Sequence, residues 1–455
     1  MRIINRCKRL MWKCWRALFH TFWFIPGIVS LGGPSLAFFF LTLDKSTKGT
    51  LAAPYLFHGS ALAASTLLST IAGSLITVAG LAFSITIVAL QLVSSQYTPR
   101  VLRGFLLDRT TQVVAGGFFA IFAYALIVLT TTREPSPADA GFIPQISITV
   151  AIGLGFLGLV LLLVFIHHTG SIIQVPEIAA RIATQTIQAI DQQDTDEEDE
   201  MDAEGISAQI QSLSTYMEPA RIYATSIGYV HRIELPHLIR DIMRPRLQIS
   251  LLVCSGDFVT EETVIAEIWP IDAADEICRR AIRHHIYTER ERDINYDAKF
   301  GVRQLADIAL RALSPAINDP TTGVLCIKYL QAIFEHLVRQ PQPITAYRFA
   351  QGTSMLTIRQ PAFQEYVRMF TEIGHYAGGN IRVINTLLRA LTSIAETSTA
   401  LDRREHQDVL YRISSKLAVH ALTQVSDEYD RTRIQEQLDR IEHILRGIET
   451  LSSGR

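Results

Sequence analysis

The chain is poor in charge and in cysteine. Asp, Glu, Lys and Arg make up 19% of its 455 residues, below the roughly 25% of ordinary soluble domains, and mean hydropathy is +0.21. Five cysteines with no C-x-x-C pair argue against a secreted disulfide scaffold and against a zinc site, and predict five free thiols. A Walker loop, a dinucleotide-binding glycine fingerprint, an H-E-x-x-H pair and a kinase signature are all missing, so the corresponding phosphate and metal chemistries have no footing. Ser314 has no His and Asp arranged near it, so a hydrolase triad is unsupported. The expectation is a protein that is not an enzyme, with no metal, cofactor or nucleic-acid partner.

What the sequence has instead is long apolar runs. Four stretches, at about 22–43, 61–93, 113–131 and 143–166, hold no Asp, Glu, Lys or Arg. Each is long enough to cross a hydrocarbon core of ~30 Å, which takes about 20 residues. The first is too long for a cleaved signal peptide and has no A-x-A-like site after it. Charge is unevenly placed. Residues 1–170 carry 12 basic and 4 acidic side chains, net +8; the remaining 30 and 40 give residues 171–455 net −10. Arg2, Arg6, Lys8, Arg9, Lys13 and Arg16 precede the first run, and Arg100, Arg103 and Arg109 follow the second, whereas the other two loops hold Lys45, Lys48 and Arg133. The positive-inside rule then places both termini and the 94–112 loop in the cytoplasm of a bacterial inner-membrane protein in contact with lipid. Trp12, Trp15 and Trp23 suit an interfacial belt, and residues 95–108 suit an amphipathic surface segment begun at Pro99.

The second run is longer than a span requires, so it must tilt, bend or project. Thr66, Thr70, Gly73, Thr77, Gly80, Ser84 and Gln91 recur along it in steps of 4, 3, 4, 3, 4 and 7, which puts them on one helix face. Such a stripe serves close helix packing or the wall of a pore, and a pore helix in a homo-oligomer does both. Arg100 and Arg103 just beyond it would give a cationic cytoplasmic vestibule. Intramembrane acids, common in proton-coupled carriers, are missing.

Beyond the fourth run the pattern is that of a mostly α cytoplasmic part containing a small β module. Residues 171–204 read as a helix followed by a linker with nine acids in the fourteen positions 191–204, a solvated run. Residues 205–271 alternate as short strands around the turn Ser255-Gly256-Asp257, which predicts a small β-barrel or sandwich. The wording there resembles the barrel-sandwich hybrid of biotinyl and lipoyl carriers, without the Lys expected at a hairpin tip. Residues 272–455 read as helical, starting with a charged helix over 272–292. Arg303, Asp307 and Arg311 stand four apart, a charge ladder, and Asp319 precedes Pro320 as an N-cap. Together with Asn318 they form a candidate ligand pocket, or a set of caps and salt bridges.

Two blocks, GLAFSITIVALQLVSSQYTPRVLRGFLLDRTTQ at 80–112 and FGVRQLADIALRALSPAINDPTTGVLCIKYL at 300–330, resemble the bacterial predicted membrane proteins grouped as domain of unknown function 2254. The resemblance implies an integral inner-membrane protein with a C-terminal soluble domain. It implies no activity and no site residues. The functional expectation is an oligomeric channel-like conduit for ions or small solutes; the alternative is a membrane-anchored sensor or scaffold whose cytoplasmic part binds a partner or metabolite.

Overall fold

The computed structural model describes residues 24–47, 56–96, 108–134, 141–172, 174–192, 206, 210, 217–341, 345–350 and 353–446. The basic N-terminus with its tryptophans, the amphipathic segment beyond residue 96 with Arg100 and Arg103, and the acidic run after residue 192 lie outside them. The chain divides into two compact units, residues 1–177 and 178–455.

The first unit is built from four helices, each long and apolar enough to cross a membrane: α1 (Phe24–Thr47), α2 (Ala61–Gln96), α3 (Arg109–Thr131) and α4 (Gln145–Ile172). Apolar attraction cannot sort helices in lipid, so small residues and polar caps must do it. Gly33 of α1 lies against the backbone of Ala120 in α3, and Gly116 of α3 against Pro26 and Val29 of α1; a side chain at either glycine would collide. The inward face of α2 is Ala64, Leu68, Ala72 and Leu75, packed with Tyr124, Phe118 and Ile148. The rims are held by carboxylates. Asp44, 6% exposed, accepts hydrogen bonds from the Ile146 and Ser147 N–H groups at 2.9 Å each and from the Ser147 hydroxyl at 2.6 Å, so the end of α1 caps the start of α4. On the opposite rim Asp108 accepts from the Thr111 N–H at 2.8 Å, capping α3, and meets His168 Nε2 of α4 at 2.8 Å.

The second unit begins with α5 (Val175–Asp191), of which residues 178–191 belong to it, and combines two open sheets with a helical layer. A five-stranded sheet has the order β1 (Ala220–Tyr223), β5 (Val264–Trp269), β3 (Gln248–Leu251), β8 (Ser354–Ile358), β7 (Ala346–Phe349). A three-stranded sheet has the order β4 (Phe258–Val259), β2 (Gly228–Ile233), β6 (Ile286–Glu289). Ile222, Val230, Ile249, Val259, Ile268 and Leu356 share one core with α6 (Leu235–Asp241) and α7 (Glu276–His285). Then come α8 (Ala298–Ala312), α9 (Pro320–Arg339), α10 (Phe363–Val367), α11 (Met369–Tyr376), α12 (Ile381–Ala400), α13 (Arg404–Gln424) and α14 (Glu428–Arg446).

The barrel or sandwich expected over 205–271 is not confirmed: no closed barrel is found among the described residues, and the sheets also take in β6, β7 and β8 from later in the chain. β3 pairs with β8 in parallel, and a parallel pair needs a long crossover that local alternation does not signal. The helix expected over 272–292 ends at His285, and Ile286 and Tyr287 enter β6 instead.

Replacing Asp44 by Ala leaves two first-turn N–H groups of α4 without their acceptor in a buried place. The protein in detergent should lose about 1–3 kcal/mol of stability, measured as a lowered melting temperature, and Asp44→Asn, which keeps one acceptor oxygen, should lose less.

Candidate functional site

The stripe on α2 points away from the other three helices. Thr66, Thr70, Gly73, Thr77, Gly80, Ser84 and Gln91 are all exposed, whereas Ala64, Leu68, Ala72, Leu75 and Ala89 on the other side are buried. The threonine hydroxyls bond along their own helix: Thr66 donates to the Leu62 carbonyl at 2.8 Å, Thr70 to Thr66 at 2.7 Å and Thr77 to Gly73 at 2.8 Å. This back-bonding removes most of the cost of a hydroxyl in lipid. A Cβ built on Gly73 or Gly80 meets nothing. The face is therefore narrow, uncharged and uncovered within one copy. Beside Gly80 a cavity of about 350 Å³ opens among Pro26, Phe83, Thr86, Phe118 and Phe165.

The candidate pocket in the second unit separates into two places. Arg303 donates from Nε to Asp307 at 2.7 Å and from Nη1 to Glu372 at 2.8 Å. Arg311 lies eight residues further along α8, about 12 Å at 1.5 Å per residue. Asn318, with φ +48, and Asp319 form the α8–α9 turn, where Asp319 accepts from Thr321 and Thr322 N–H groups at 3.0 and 3.1 Å. The Thr322 hydroxyl, as the largest cause, and the Thr322 and Thr321 amides hold the Asp319 carboxyl below the usual range against the opposing effect of burial. The structure joins Arg303 to Asp307 and leaves the other three at the far end of the helix.

Around Arg303 lies a junction that sequence reading did not find. Gly256, φ +90, sits against the carboxylate of Asp297, so a side chain there would clash. Asp297, 5% exposed, caps α8 through the Phe300 N–H and accepts from Arg292 Nε at 2.6 Å. Asp257 accepts from the Cys254 N–H and from Arg359 at 2.9 Å each, and Lys299 donates to Glu365 at 3.1 Å. Arg292, Lys299, Arg303 and Arg368 line a cavity of about 180 Å³, and the first three are each matched by a carboxylate. The junction ties the β3–β4 turn to α8 and α10. The Asp-x-x-Phe spacing of Asp297 and Phe300 is the signal that marks this cap in the sequence.

Cys254, Cys278 and Cys326 are buried free thiols. Burial pushes them up to about 12, about 11 and about 12, which makes them inert toward nucleophilic chemistry at neutral pH. Cys7 and Cys14 lie outside the described residues. Among the described residues no cluster of His, Cys, Asp and Glu could hold a metal.

Two expectations follow from this electrostatic layout. Asp297→Ala should destabilise the protein by about 1–3 kcal/mol, because α8 loses its cap and Arg292 its partner; chemical denaturation checks it. The second concerns His406. It is buried, its ring lies 4.2 Å from that of Phe363, and its Nδ1 has no partner. Burial holds its pKa below 6.5 against the opposing pull of Glu405. With the folded value depressed, the unfolded chain binds the proton first, so stability falls as pH drops through about 6.5. Melting curves across that range should show the loss, and His406→Phe should flatten it.

A family model described as "Predicted membrane protein (DUF2254)" matches residues 20–393. Uncharacterized proteins of Mycobacterium tuberculosis, strains CDC 1551 and H37Rv, and of Mycobacterium bovis are each 29% identical over 404 residues, covering 87% of this chain and 75% of theirs. No solved structure matches. The match spans both the four apolar helices and most of the second unit, and on it the chain belongs to the DUF2254 family of predicted membrane proteins.

Proposed function

We propose that the protein assembles as a homo-oligomer in a bacterial inner membrane and forms a conduit for ions or small solutes, with α2 as the helix that meets its copies and borders the path. The observation that carries this reading is the outward face of α2. Seven small or polar residues are exposed there on one side of a membrane-length helix. Glycines and hydroxyls let a second backbone approach closely, and a wall of hydroxyls without formal charge passes hydrated solutes without trapping them. Arg100 and Arg103 follow α2 in the chain; with both termini cytoplasmic, as the distribution of basic residues favours, they would bias the path toward anions.

The test uses full-length protein in liposomes. Flux of several ions is expected, and Thr77→Leu with Ser84→Leu should reduce it, because the two leucines narrow and dry the same face. Cysteine at position 70 should crosslink between copies. Flux absent for every ion tried would remove the conduit, and crosslinking absent as well would remove the assembly.

A further inference from the structure

Beside the junction around Arg303, and sharing Arg368 with it, lies a groove in which cations outnumber acids. α11 packs against α13, with Gly374 lodged under Leu417 and the rings of His375 and His420 4.5 Å apart. Beside this contact runs a groove of about 470 Å³, within the size range of small-molecule sites. One wall carries Arg368, Thr371 and His375, and the facing wall Arg412 and Lys416. These are spaced by three, four and seven residues, so each helix turns one face into the groove.

The lining carries three cations against one acid, with Gln364, Thr371 and His375 as neutral polar groups. Arg368, Arg412 and Lys416 have no carboxylate within 4.0 Å among the described residues, and all three are exposed. Arg412 spends only Nε, on the Asp408 carbonyl at 3.3 Å. Glu372 is the one acid lining the groove, and Arg303 engages it at 2.8 Å from the other side. Val409 and Ile413 supply an apolar floor. What sets the groove apart is that three cations without a carboxylate partner converge on one concavity. A single carboxylate would neutralise one of them; a phosphate group, with two terminal acceptor oxygens as a diester and three as a monoester, can meet the planar forks of the arginines and the point charge of the lysine together.

We propose that the groove between α11 and α13 binds a phosphate-bearing molecule, held by Arg368, Arg412 and Lys416 with its organic part over Val409 and Ile413. This goes beyond the conduit reading and does not depend on it. Two sources share the chemistry, a soluble phosphorylated compound and the headgroup of an anionic lipid.

The experiment is calorimetric titration of full-length protein in phosphatidylcholine nanodiscs. One arm adds inorganic pyrophosphate. The other adds a short-chain, water-dispersed phosphatidylglycerol, with the matching phosphatidylcholine as control. Saturable binding is expected in at least one arm, weakened about tenfold or more in an Arg412→Ala, Lys416→Ala variant whose melting temperature is unchanged; tenfold is the loss expected from deleting one charge-assisted hydrogen bond to phosphate. Pyrophosphate binding assigns a soluble ligand and phosphatidylglycerol binding alone a lipid. Arg368→Gln supplies a second variant on the opposite wall and should weaken the same arm. Binding in neither arm, or binding indifferent to both variants, overturns the proposal.

Discussion

A helix end inside or beside hydrocarbon has nowhere to send its free N–H groups except to another part of the protein. This constraint organises the first unit. Its two rims are closed by two carboxylates drawn from outside the helices they cap: Asp44 at the start of α4, and Asp108 at the start of α3 with His168 across from it. A negative group at a helix N-terminus also answers the positive end of the helix dipole. Both caps bridge elements, so satisfying the backbone and ordering the helices are the same event. With the rims set, the glycine contacts between α1 and α3 bring those helices close enough for dispersion forces to act.

α2 is the exception in that bundle. Its alanine and leucine side is used, while its threonine, serine and glycine side is left open. The hydroxyls are quieted by their own helix, so a single copy is not destabilised by them, yet the face remains thin enough for another backbone. The second unit follows different rules. Burial of Ile, Val and Leu drives its sheets together, and charged groups organise the seams. At the junction Arg292, Lys299 and Arg303 each meet a carboxylate; between α11 and α13 cations outnumber acids.

Local pattern carried much of this. Apolar length predicted the four spans, the steps of three and four along residues 66–84 predicted a common face, and the spacing of Arg303 and Asp307 predicted their ion pair. Asp319 followed by Pro320 marked the start of α9. The β module was partly legible: the turn at Gly256 and strands β3 and β5 were read, whereas β6, β7 and β8 were not. The ion pair's third member, Glu372, is 69 residues from Arg303, and no short-range pattern links them.

The sequence by itself determined which segments favour lipid and which residues share a helix face, because each of these rests on contacts within a few turns of the chain. Tertiary structure alone decided which face of α2 is turned outward, which strand lies beside β3, and which carboxylates reach a cation from far along the chain, as Glu372 reaches Arg303. Those outcomes depend on groups far apart in sequence competing for the same space, and only the packed chain settles that competition.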